Sequence, residues 1–178
     1  AMNKVDYCSK HGIEISYEQW PSSGIASEII TDKGRDFCSN KVYEFCMNYG
    51  LEHESLPPYR PDCKGIVEKT FGLINQRYKP VLRGKGVIED DAMERWATDY
   101  REQAVLNLED FTKIVINIVI YLNTRVLKNY PLTKEMILDK LVPTPSNLWI
   151  WHEKMGRSNL IDIDEEELHI LSMNRKSA

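Results

Sequence analysis

The sequence predicts a helix-rich α/β protein, on three observations. Two short runs of strand character, "SEIIT" at 27–31 and "LEHESL" at 51–56, flank a segment with helical periodicity. Longer amphipathic stretches then recur through the rest of the chain. The composition, 42% hydrophobic and 28% charged over 178 residues, suits a packed, soluble domain, or one and a half.

Residues 1–25 are weakly patterned, and "WPSSG" at 20–24 is a loop by its Pro, Ser and Gly content. After the first strand, Ser39 or Asn40 starts a helix to about Tyr49, with Val42, Phe45, Cys46 and Tyr49 on one face and Gly50 ending it. The second strand is followed by "PPYRPDCKG" at 57–65, where three prolines exclude a regular helix or a central strand. A helix is expected over about 66–78, with Val67, Phe71, Ile74 and Tyr78 as its apolar stripe. Pro80 ends or kinks it, and "RGKG" at 83–86 is a loop. Another helix is expected over about 91–104, with Met93, Trp96, Ala97 and Tyr100 inward. Asn107 then caps a helix from Leu108 to about Leu127; its β-branched run is also compatible with a buried strand, but its length favours helix. A boundary falls near residue 130. Beyond it, "LTKEMILDKL" is a short amphipathic helix, and 142–171 mixes prolines, two tryptophans and short alternating segments.

The net charge of −4 argues against a uniformly basic nucleic-acid binder but leaves room for a basic patch. Cysteines at 8, 38, 46 and 63 have no paired CxxC spacing, and Cys8-x-x-His11 is a weak zinc signal against the commoner buried free thiol. No secretory signal is visible, and the longest apolar stretch, Ile114 to Leu122, is too short to span a bilayer. A cytoplasmic protein with reduced thiols is expected. Ala1 ahead of Met2 reads as the remnant of a tag, with Met2 as the natural start.

Two carboxylates hold the chemical interest. Asp32 follows the first strand in "IITDKGRDF", and Glu68 falls in the first turn of the 66–78 helix, with 35 residues between them. A strand, a helix and a Pro-rich loop lie in that interval, so the two can converge. Paired carboxylates suit a hard, oxygen-seeking Mg²⁺ or Mn²⁺. With a third acid they could hold two ions across a phosphodiester. Positions 64, 68, 72, 75 and 79 (Lys, Glu, Gly, Asn, Lys) share one side of the helix, and Gly72 there permits close approach of a backbone. The window from Arg60 to Lys85 carries seven basic and two acidic residues, +5 where the rest of the chain sums to −9. Such a strip beside a metal carboxylate favours a DNA backbone. Each feature also has a plainer explanation: a turn at Asp32, dipole compensation at Glu68, a solvated face for the lysines.

"ITDKGRDF" followed at this spacing by "YRPDCKGIVEKTFGLINQRY" resembles the core shared by retroviral integrases and DDE transposases. The wording is most similar to the large transposases of bacteriophage Mu and the Tn-seven-like elements, in their B-type subunit. "WPSSGIASEIITDKG", "YLNTRVLKNYP" at 121–131 and "PTPSNLWIW" at 143–151 add to the resemblance, the last looking like the start of a C-terminal small-barrel region. The resemblance implies an RNase H-like fold, with 1–130 as the later part of the catalytic core and 131–178 as a linker helix and the start of a small β region. It implies Mg²⁺- or Mn²⁺-dependent 3′-end cleavage and strand transfer, with Asp32 and Glu68 as the second and third acids of a triad. Arg60, Lys64, Lys69, Asn75 and Lys79 are the candidate DNA contacts, placed by the helix face and its basic flank.

The family's first aspartate sits on an earlier strand, separated from the second by a meander and a helix of roughly 35 to 45 residues. Only 31 residues precede Asp32, and Asp6 is the only upstream aspartate, in "NKVDYCSK" with no strand repeat after it. The chain thus looks like a transposase lacking its first three strands, with metal binding weak or absent and no efficient strand transfer. Its unpaired strand edge predicts self-association. The expected partners are DNA, a second copy and a transposition ATPase regulator. A non-catalytic DNA- or partner-binding fragment that modulates a full-length transposase is the alternative; an unrelated interaction domain is a third.

Overall fold

The computed structural model describes residues 3–31, 40–56, 65–87, 99 and 102–161. The first element, α1 (Lys4–Lys10), lies where the pattern is weak. Its signal is the cap: the Asn3 side chain accepts from the backbone N–H of Val5 and Asp6. Asp6 near the start and Lys10 at the end match the helix dipole. A 3-10 turn follows at Tyr17–Gln19, closed by a reciprocal Ser16–Gln19 capping box.

Strand β1 (Ile25–Ala26) runs directly into β2 (Glu28–Thr31), and β3 (Glu52–Ser55) pairs with β2 in parallel. The register sets Glu28 opposite Glu52 and Thr31 opposite Ser55. Both strands fall within the predicted segments. The crossover between them is α2 (Asn40–Tyr49), whose Val42, Phe45, Cys46 and Tyr49 are its covered positions, as the periodicity predicts. Gly50 ends α2 in the left-handed region at φ 63°, which glycine adopts without steric cost.

Helix α3 (Gly65–Tyr78) forms over the predicted span, but its apolar stripe does not behave as expected. Val67 is 58% exposed and Phe71 64%, while Ile74 and Tyr78 are half-buried. Its C-terminal end meets α4 (Leu108–Thr124): Tyr78 and Phe111 pack edge to face at 5.3 Å, and Arg77 donates to the Tyr121 hydroxyl at 3.0 Å. Periodicity identified the apolar residues of α3 but not where along the helix its neighbour ends.

The β-branched run Ile114–Ile120 is helical, which decides between strand and helix. Asn107 caps α4 by accepting from the Asp110 N–H at 2.8 Å, as the sequence predicts, and the helix stops at Thr124, ahead of the expected Leu127. The helix expected over 91–104 lies mostly outside the described residues. Its expected end is not helical: 102–103 form a turn and 104–107 are irregular.

The C-terminal part contains α5 (Lys134–Leu138), α6 (Pro145–Lys154) and β4 (Leu160–Ile161). The 143–151 stretch, expected to open a β region, is thus mainly helical. Thr144 caps α6 and Pro145 takes its first position, a strong start signal. Met136, Leu148 and Trp151 form the centre of a cluster with Leu127, Tyr130, Leu132 and Leu141. Trp151 donates its indole N–H to Asp139 at 2.7 Å, so burying the ring leaves no unpaired donor. This region packs back on the N-terminal part: β4 pairs antiparallel with β1, Ser146 donates to the Gln19 carbonyl, and Tyr17 donates to Glu153. Among the described residues no helix is long and apolar enough to cross a membrane.

Candidate nucleic-acid interface

Thr31 is the last residue of β2 and is buried, with its hydroxyl 2.8 Å from Nε2 of His53 on β3. Asp32 comes next in sequence and lies outside the described residues, as do Arg60 and Lys64. The His53 partner of Thr31 was not singled out from the sequence. Only the parallel register, which puts Ile29 beside His53, brings these two side chains to one face.

Glu68 stands in the first turn of α3 and is exposed, as is Lys69 beside it. One turn further on, a Cβ added at Gly72 would meet nothing within 4 Å, so this side of the helix is open. Asn75 is exposed, and Lys79 follows the helix end, half-buried, its backbone N–H bonded to the Asn75 carbonyl at 3.0 Å. Glu68, Gly72, Asn75 and Lys79 therefore lie along one side, as the spacing predicts. Arg77, counted in the basic window, is held against α4, with its guanidinium 4.4 Å from the Tyr121 ring centre.

Mg²⁺ accepts one or two carboxylates and completes its shell with water and phosphate oxygens. Glu68 offers an exposed carboxylate of that chemistry. Among the described residues no group of three or more His, Cys, Asp or Glu could hold a metal. The Cys8–His11 signal falls with this: Cys8 is fully buried, burial pushes its thiol pKa up, and the His11 ring packs on Tyr7.

A family described as the TnsB C-terminal domain matches residues 1–84, which include β2, β3 and α3. The chain is 30% identical over 176 residues to the Transposon Tn7 transposition protein TnsB of Escherichia coli, covering 98% of this chain and 24% of that protein. It is also 44% identical over 80 residues to the Gag-Pro-Pol polyprotein of Human T-cell leukemia virus 2, covering 44% of this chain and 6% of the polyprotein. With the Gag-Pro-Pol polyprotein of Sheep pulmonary adenomatosis virus it shares 28% over 76 residues, 43% of this chain and 4% of the polyprotein. The chain therefore spans about a quarter of the transposition protein and a small fraction of each polyprotein. The similarity supports a relationship to transposases of the Tn7 type.

Proposed function

We propose that this chain is part of a DNA transposition protein and carries two acids of a polynucleotidyl transferase core. The observation that carries this reading is the 30% identity to a transposition protein along nearly the whole chain. The order of elements supports it: two parallel strands joined by a helix, then a helix with an exposed glutamate in its first turn. An incomplete RNase H-like core fits that order. In this reading Asp32 and Glu68 hold Mg²⁺ or Mn²⁺, which when bound supplies Lewis-acid polarisation of a phosphodiester. Lys69, Asn75 and Lys79, with Arg60 and Lys64, bind the DNA backbone.

The 178 residues alone are expected to be poor at strand transfer. Asp6 sits in α1 rather than on a strand, so it does not match the first acid of the triad. The test is joining of a labelled transposon end to plasmid DNA by the purified chain with Mg²⁺ or Mn²⁺. Efficient joining that Glu68→Gln abolishes would show a complete active site and overturn this part of the reading. Absence of salt-dependent DNA binding would overturn the rest.

A second reading is a non-catalytic module that binds DNA or a partner such as an ATPase regulator. The exposed apolar residues Ile66, Val67 and Phe71 at the start of α3 favour it, since they form an uncovered face on the same helix as Glu68. DNA binding that persists in Glu68→Gln, with no metal-dependent cleavage in either form, supports this second reading.

A further inference from the structure

A pocket of about 600 Å³ lies between the end of α3 and the start of α4. Its lining includes Tyr78, Phe111, Lys79, Lys85, Leu106 and Leu108. One wall depends on a close contact. Gly86 has φ 85°, and a Cβ there would stand 2.6 Å from the Ala104 Cα, so a side chain at 86 would push the two segments apart. Tyr78 and Phe111 hold each other edge to face, making a rigid aromatic corner.

The chemistry of the lining is selective. An apolar, aromatic lining suits a flat ring, and the basic Lys85 suits a phosphate attached to it. The start of α4 adds little positive potential, because Glu109 and Asp110 occupy its first turn and Glu109 is paired with Lys113 at 2.9 Å. The attraction for an anion therefore falls to Lys85. The volume lies within the usual range for small-ligand sites, which accommodates a base and its sugar.

We infer that this pocket takes one unstacked base of a DNA strand, with Lys85 on the adjoining phosphate. The inference rests on the DNA-binding reading above, and Lys79 joins the two, since it belongs both to the polar side of α3 and to the pocket lining. Base stacking on aromatic side chains tolerates any sequence, so the pocket would distinguish an unpaired end from a duplex rather than one base from another.

The experiment compares the full chain on a blunt duplex and on the same duplex with a single-stranded overhang carrying 2-aminopurine at successive positions. The overhang is expected to bind roughly tenfold tighter, with fluorescence altered at one position more than at its neighbours. Leu108→Glu alters a rim residue that is 81% exposed, so the fold should tolerate it. It should remove both effects while blunt-duplex affinity stays unchanged; Phe111→Leu, which keeps an apolar side chain, is expected to do the same. Equal binding of both DNAs, or a preference that survives both variants, overturns the pocket assignment and leaves the DNA reading intact. Binding of neither DNA overturns both.

Discussion

The Thr31 hydroxyl and Nε2 of His53 lie 2.8 Å apart across the parallel pair, on the residue just before Asp32. This partly buried bond fixes the end of β2, the last residue before Asp32 in sequence. Thr31→Val keeps the side-chain shape and removes the hydroxyl, leaving the imidazole without that partner. The expected loss is about 1 kcal/mol, read as a drop of a few degrees in Tm. A melting curve unchanged by Thr31→Val would show that the bond does not hold the strand end.

Gly72 separates two effects. Open space surrounds its missing Cβ, so Gly72→Ala should stabilise α3 by about 0.5–1 kcal/mol through helix propensity. If DNA lies against this side, the added methyl should weaken binding while Tm rises. A rise in Tm with unchanged DNA affinity would move the DNA off this part of the helix.

Lys69 is exposed one residue from Glu68. In Lys69→Ala the slope of log affinity against log salt should fall by about 1, with affinity reduced alike for unrelated sequences. Fluorescence anisotropy across a salt series checks it, and an unchanged slope would remove Lys69 from the interface.

How far the sequence discloses this molecule depends on the range of the interaction. The cap at Asn107, the crossover helix and the two strand segments follow from local patterning, because their determinants sit within a few residues. The exposure of Val67 and Phe71 was not legible, since it depends on where a helix distant in sequence stops covering them. Nor was α6, since the resemblance of 143–151 to a β region says nothing of the Thr144 cap and Pro145 that start the helix. At the site, Glu68 and the polar side of α3 were legible from helical spacing. The Thr31–His53 pair needed the strand register, and the Tyr78–Phe111 pocket needed the contact of Gly86 with Ala104.

Alkaline pH should destabilise the fold through two groups. Burial raises the Cys8 thiol pKa; burial first, then the hydrogen bond to Glu153, raises that of the Tyr17 phenol. Both are held protonated in the fold and release their protons more readily when it opens. Their contribution is therefore complete below the ordinary thiol and phenol values, about 8.5 and about 10, and is lost as pH rises through the higher folded values. Tm should fall from about pH 8.5 upward, and Cys8→Ala should flatten the earlier part of that fall. An identical pH profile in Cys8→Ala would exclude the thiol as a cause.

β2 has β3 as its only strand partner among the described residues, and Ile30 on it is 52% exposed. A second copy is expected to cover this edge, giving a dimer or larger species by light scattering. Ile30→Lys should shift the distribution toward monomer. A clean monomer for the unaltered chain at tens of micromolar would count against edge pairing.

The meeting of Gly86 and Ala104 also bears on how the molecule tolerates change in length. The chain departs from this contact and comes back to it, so both feet of the intervening stretch stand at one spot. The entropy of closing such a stretch grows only slowly with its length, each doubling adding about 0.6 kcal/mol. For loop closure alone, the length of the stretch between the two feet is therefore a weak determinant of stability, whereas the glycine at the first foot is a strict one.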